Sequence, residues 1–217
     1  AVSDISPIAD LPNLTSVTLS NSDVTSLEPL FNGSAPIAEL LATGLGDNND
    51  NLTTIAGIGA LTGLTRLDLY NNRALASGFD ELASLDNLRS VGLSESAFSD
   101  VSVLAGKPDL TLVDVSQTQV TDLSPLFTNG SPIEVLIAPG LANLTTVAGI
   151  GALQNLDNVQ LRDNPQLSTG VDELATVPNL NNANFANSTA IPDADIQAVV
   201  DAHPSASITL PDGTSAP

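Results

Sequence analysis

The sequence predicts an α/β solenoid: a right-handed stack of short coils with a parallel β-sheet along one concave face and short helical or irregular segments on the convex side. Three observations carry this. At long range, "VTSLEPLFNGSAPI" from Val24 returns as "VTDLSPLFTNGSPI" from Val120, and "AGIGAL" at 56 returns at 148. At short range, "LTSVTL" at 14 recurs as "LTRLDL" at 64, "LRSVGL" at 88, "LTLVDV" at 110 and "LDNVQL" at 156. Within one unit, "LTGLTRLDLYNN" at 61 to 72 spaces its leucines by three, three and two, which fits neither a 3.6-residue helix nor a strictly alternating strand.

Each element follows from that rhythm. A repeat of this length cannot bury its apolar face alone, so stacking is obligatory. The three-residue steps turn corners and the two-residue step makes a short strand. The central apolar residue of each motif falls at Val17, Leu40, Leu67, Val91, Val113, Leu136, Val159, Ala183 and Ile208, in steps of 22 to 27 residues, which gives eight to nine repeats. The offset between the long copies drops from 96 to 92 because "GDNND" at 46 to 50 is an insertion in the first. Pro7, Pro29 and Pro125, with "DELASL" and "DELATV", predict short helical turns on the outside. In "IPDADIQAVVDAHP", Pro192 is placed at the first helical position, Asp193 and Asp195 in the first turn, and Pro204 as the stop. "SITL" adds one more strand. The repeat domain is thus 1–210, and 211–217 is a linker or tail.

Composition excludes several function classes. Five Lys and Arg against 25 Asp and Glu leave a net charge of −20, which repels phosphate backbones and anionic lipid. Nucleic acid and membrane insertion are therefore not expected. No cysteine is present, so there is no disulfide framework, thiolate metal site or cysteine nucleophile. No window approaches a membrane span and no leader opens the chain, so it is expected to be a fragment of a larger protein.

The repeat pattern resembles the leucine-rich repeat proteins. Its units of roughly 22 residues, with "NLTSVTL", "GLTRLDL" and the following "DVTSLEPL" or "QVTDLSPL", look like the internalin-type repeats of bacterial surface proteins. The likeness runs from about Ile5 to about Leu210. It implies an extracellular or cell-surface binding module. Two departures stand out. The asparagine that closes the motif is present as Asn72 and Asn164, but the matching positions hold Ser22, Ser96, Thr118 and Ser188, and Leu45 and Leu141 in the irregular units. The helical N-terminal cap of internalins is also missing from the sequence.

Catalysis is not expected. The one histidine, His203, is placed at a helix end, where a structural role suffices. No nucleophile elbow, zinc-binding HExxH or phosphate loop occurs. In "GDNNDN", Asp47, Asn49 and Asn51 alternate as a calcium loop begins, but the glycine and distal Glu of such a loop are absent, so the expectation is no cofactor, with calcium as the alternative. Six N-x-S/T sequons, at Asn13, Asn32, Asn51, Asn129, Asn143 and Asn187, stand against roughly four expected by chance, and the "NLT" ones belong to the repeat, so glycosylation is not inferred.

What remains is the concave sheet, where strand alternation points the flanking residues outward. Leu41, Tyr70, Leu112, Val135 and Ile137 stand apolar where solvent is expected, and Arg66, Asp68, Asp114 and Arg162 lie beside them. An aliphatic or aromatic anchor that excludes water is what a protein-binding surface needs. The expected function is a monomeric module that binds a protein, with a glycan as the second choice. A spacer domain and an intracellular scaffold are the alternatives.

Overall fold

The computed structural model describes residues 2–46, 50–128 and 130–216. It divides into two compact units, Ala1–Phe98 and Ser99–Pro217. The first contains strands β1 (Ser16–Thr18), β2 (Glu39–Leu41), β3 (Arg66–Asp68) and β4 (Ser90–Gly92). These pair in parallel and in register, so that Val17, Leu40, Leu67 and Val91 lie one above the other. The second contains β5 (Leu112–Asp114), β6 (Val135–Ile137), β7 (Asn158–Gln160), β8 (Asn182–Asn184) and β9 (Ser207–Thr209). There Val113, Leu136, Val159, Ala183 and Ile208 align in the same way. All nine central residues are buried. The periodicity and the marker positions are therefore borne out, Ile208 included.

The outer side of the first unit carries α1 (Glu28–Asn32), entered through Pro29, and 3-10 turns over Ser6–Ile8, Ile58–Ala60 and Phe79–Ser84. The second unit carries 3-10 turns over Val101–Leu104, Ser124–Leu126, Ile150–Ala152 and Asp172–Thr176. Such short segments let each coil return within its 22 to 27 residues.

Four residues after each central position from Val17 to Ala183, the chain leaves the strand through a left-handed residue: Asn21, Gly44, Asn71 and Glu95, then Gln117, Gly140, Asp163 and Asn187. Gly and Asn suit that conformation, whereas Glu95 and Gln117 bear a cost of about 1 kcal/mol each. Glu95 has a compensating contact, since its Oε2 accepts hydrogen bonds from Arg73 Nε and Nη2 at 3.1 and 2.8 Å.

The next position explains the mixed closing residues. Asn72 Oδ1 accepts from Leu45 N at 3.1 Å, while its Nδ2 donates to Ala42 O and Leu69 O at 2.7 and 2.8 Å. Asn164 does the same for Leu141 N, Ala138 O and Leu161 O. Each asparagine thus serves its own coil and the preceding one, which is why that preceding coil can hold a leucine there. Ser96 and Thr118 need only bond the carbonyls of Leu93 and Val115, three residues back, and a hydroxyl suffices.

At the C-terminal end, α2 (Asp193–Ala202) buries Ile196 and Val199 and packs against the Asp172–Thr176 turn. Pro192 is the N-cap with extended backbone, one residue earlier than its expected first helical position. Its fixed φ of −62° suits either place. His203 follows α2 and its Nε2 lies 2.9 Å from Leu174 O, a packing role. The expected tail turns back on β9: Leu210 N donates to Thr214 O and Ala216 N to Ile208 O, both at 2.8 Å.

Candidate binding surface

Every strand is three residues long with its centre buried, so the side chains on either side of it form the outward surface. In the first unit, register aligns Ser16, Glu39, Arg66 and Ser90 in one row and Thr18, Leu41, Asp68 and Gly92 in the next. Beyond them, Thr43 Oγ1 donates to Ser20 Oγ at 2.8 Å. Ser16 Oγ donates to Glu39 Oε2 at 3.1 Å, and Asp68 Oδ1 accepts from Tyr70 N at 3.1 Å. Tyr70 is 47% exposed, and among the described residues Val2 and Leu11 are the other large apolar ones so open. Arg66 is exposed and Leu41 half-buried. Gly92 leaves room above Asp68: a Cβ there would stand 3.1 Å from Asp68 Oδ1.

In the second unit the rows are Leu112, Val135, Asn158, Asn182 and Ser207, and Asp114, Ile137, Gln160, Asn184 and Thr209. Leu112, Asp114, Val135 and Ile137 are half-buried, and Arg162 is exposed. The aliphatic residues expected on this face do project from it, each with part of its surface in contact with neighbours. Arg162 Nη1 pairs with Asp163 Oδ2 at 2.7 Å, and Asp114 Oδ1 accepts from Ser116 N at 2.9 Å. Gln160 Nε2 donates to Asn158 Oδ1 and Asn182 Oδ1 at 2.6 and 2.7 Å. This amide group was not singled out from sequence. The signal was there, since six alternate outward positions from 158 to 186 carry no carboxylate in a chain with 25 acidic residues.

The nine residues selected from sequence therefore fall into two sets, Leu41, Arg66, Asp68 and Tyr70 in the first unit and Leu112, Asp114, Val135, Ile137 and Arg162 in the second. Of the calcium candidates, Asp47 and Asn49 lie outside the described residues. Asn51 is half-buried against Gly46, where an added Cβ would meet its Nδ2. Among the described residues no cluster of three His, Asp or Glu is placed to hold a metal, and no helix is long and apolar enough to cross a membrane.

Few carboxylates are perturbed. Hydrogen bonds from Ser6, Ser102 and Thr214 hold Asp4, Asp100 and Asp212 below the usual aspartate range. Asp195 is raised by desolvation and then by the charge of Asp172. All four lie off the sheet face.

The long duplication separates structural from free positions. Residues 52–62 and 144–154 are identical at nine of eleven positions. Glu81 is repeated as Glu173, and each carboxylate accepts from two glycine amides of the coil before it: Gly57 and Gly59 for Glu81, Gly149 and Gly151 for Glu173. Gly78 and Gly170 are left-handed, and a Cβ on either would stand 2.4 or 2.3 Å from a backbone nitrogen of the preceding coil. At the eight outward positions flanking the strand centres, by contrast, no residue is shared. The pairs are Ser16 and Leu112, Thr18 and Asp114, Glu39 and Val135, Leu41 and Ile137, then Arg66 and Asn158, Asp68 and Gln160, Ser90 and Asn182, Gly92 and Asn184.

No protein-family model and no curated protein matches the chain. Solved structures do. Internalin C2 of Listeria monocytogenes is 31% identical with a TM-score of 0.76, over 86% of this chain and 77% of that one. Internalin F of the same organism is 20% identical with a TM-score of 0.72, over 95% of this chain, which spans 63% of its length. A plant peptide hormone receptor, RGFR1 in complex with RGF2, is 16% identical with a TM-score of 0.55, over 94% of this chain and 36% of that one.

Proposed function

The chain belongs to the internalin-like leucine-rich repeat proteins, and from that premise we propose that it is an extracellular or cell-surface module that binds a protein through its outward sheet residues. The observation that carries this reading is the contrast between the two copies. Turns, glycines and buried asparagines recur, while all eight face pairs differ. Side chains needed by the coil are repeated, so those that change are free to serve a partner. In the first unit Tyr70 supplies an exposed aromatic anchor just past β3, with Arg66 two outward positions before it and Leu41 paired to Asp68 in the adjacent strand. The RGFR1 complex with RGF2 supports the use of this fold for a polypeptide ligand. The −20 charge steers basic partners, so association slows as salt rises.

The test is an array of purified secreted proteins and cell-surface ectodomains probed with the whole chain and with a Leu41→Asp, Tyr70→Asp, Ile137→Asp variant. A partner retained by the parent and lost by the variant, with circular dichroism unchanged, is the expected result. A partner bound equally by both refutes the face, and no partner at all favours a spacer role.

A further inference from the structure

We infer that the face of β6 to β8 takes an uncharged, extended polypeptide segment, a deepening that rests on the binding reading above. Val135 and Ile137 of β6 adjoin four amide side chains, Asn158, Gln160, Asn182 and Asn184, brought together by the parallel register. The amides hold one another in place. Gln160 Nε2 bonds both Asn158 Oδ1 and Asn182 Oδ1, and Asn184 Oδ1 accepts from Ala186 N at 3.0 Å. Those bonds leave Gln160 Oε1 and the Nδ2 groups of Asn158, Asn182 and Asn184 without a partner among the described residues. The result is a pre-ordered set of outward donors with one acceptor, so little side-chain freedom is lost when a ligand docks.

The chemistry of the set selects the ligand. A side-chain amide is the same group as a peptide bond and can donate to its carbonyl while accepting from its N–H. The aliphatic pair beside it accommodates one apolar side chain. None of these six residues is charged in a chain carrying 25 carboxylates, and depletion of charge marks the part of a surface that becomes desolvated on binding. A sugar ring fits less well, because the second unit has no Tyr or Trp and both its phenylalanines, Phe127 and Phe185, are buried. Three strands at about 4.8 Å spacing set a contact of about three to four extended residues.

The experiment pans a display library of random peptides, about four times longer than that contact, on the immobilised whole chain, beside an array of immobilised oligosaccharides. Enriched peptides are expected to share an aliphatic residue flanked by uncharged ones. Their affinity should change less than about twofold between about 50 and about 500 mM salt. Asn182→Asp keeps the acceptor for Gln160 and replaces an outward donor by a charged acceptor, so it should weaken binding by about tenfold or more. Asn158→Asp should act likewise, Leu11→Ala at an exposed residue outside the strands should change nothing, and Tyr70→Ala tells whether a peptide sits on the first unit instead. Peptides that are charged and salt-sensitive, or that tolerate both amide variants, overturn the inference, as does capture of an oligosaccharide that depends on Asn182. Peptides that depend on Tyr70 and not on Asn182 overturn it while leaving the wider binding reading intact. No enriched peptide on either unit contradicts both.

Discussion

The two long copies in this chain share most of one outer segment and none of the outward residues that flank the strand centres. Residues 52–62 and 144–154 differ at two of eleven positions, whereas the flanking residues of β1 to β4 and β5 to β8 differ at all eight. One face became charged and aromatic, around Arg66, Asp68 and Tyr70; the other became neutral, around Ile137, Asn158 and Gln160. Because the same coil tolerates both, the outward residues are not what holds it together. Retained positions are explained by contacts between successive coils: a buried asparagine, a carboxylate on glycine amides, a glycine under the next backbone.

This comparison can be broken most forcefully in the core. Leu67→Ala should cost roughly 2 to 5 kcal/mol by urea denaturation, and the matching Val159→Ala about 1.5 to 3 kcal/mol, because fewer buried carbons are removed. A larger loss at Val159 would show that the two copies are packed by different rules. Next come the asparagines. Asn72→Ala leaves Leu45 N, Ala42 O and Leu69 O without their buried partner, and Asn164→Ala does the same to Leu141 N, Ala138 O and Leu161 O. Each should cost about 2 to 4 kcal/mol, with amide exchange rising first at Leu45 or Leu141.

The carboxylates sharpen the comparison. Glu81 uses both oxygens, with bonds of 2.8, 2.9 and 3.0 Å, whereas Glu173 uses one, with bonds of 2.8 and 3.4 Å. Glu81→Ala should therefore cost about 1 to 2 kcal/mol and Glu173→Ala about half of that. Equal melting curves for the two variants would mean that the extra bonds contribute nothing.

Asp195 gives the smallest effect. Its folded pKa is raised, by desolvation first and Asp172 second, so protonation favours the folded state and stability falls as pH rises through that pKa. Asp195→Asn should raise the melting temperature at neutral pH by about 1 °C or less and lose this advantage in acid. A lower melting temperature at neutral pH would contradict the sign. Asp4, Asp100 and Asp212 run the other way, supporting the fold above the ordinary aspartate range and ceasing to do so as pH falls through their lowered values.

Much of this fold was legible in the sequence, because its register is set by apolar spacing alone: Val17, Leu40, Leu67 and Val91 align as their motifs do. What the spacing does not encode is contact between coils. Asn72 stands 27 residues from Leu45, and only the stacked structure shows that one side chain closes both turns. The left-handed position was hidden because it is filled by Asn, Gly, Glu, Gln and Asp in turn. On the face, alternation told which residues point outward, but not that Leu41 and Ile137 keep most of their surface against neighbours. Nor did it reveal that Gln160 ties Asn158 to Asn182, which depends on the register of three strands.

The most direct measurement is a face exchange in the first unit, in which Arg66, Asp68 and Tyr70 become the Asn, Gln and Arg found at Asn158, Gln160 and Arg162. The account predicts a melting temperature within about 2 °C of the parent, together with loss of any partner held by the first unit. A fall of about 5 °C or more, or a partner still bound, would contradict it.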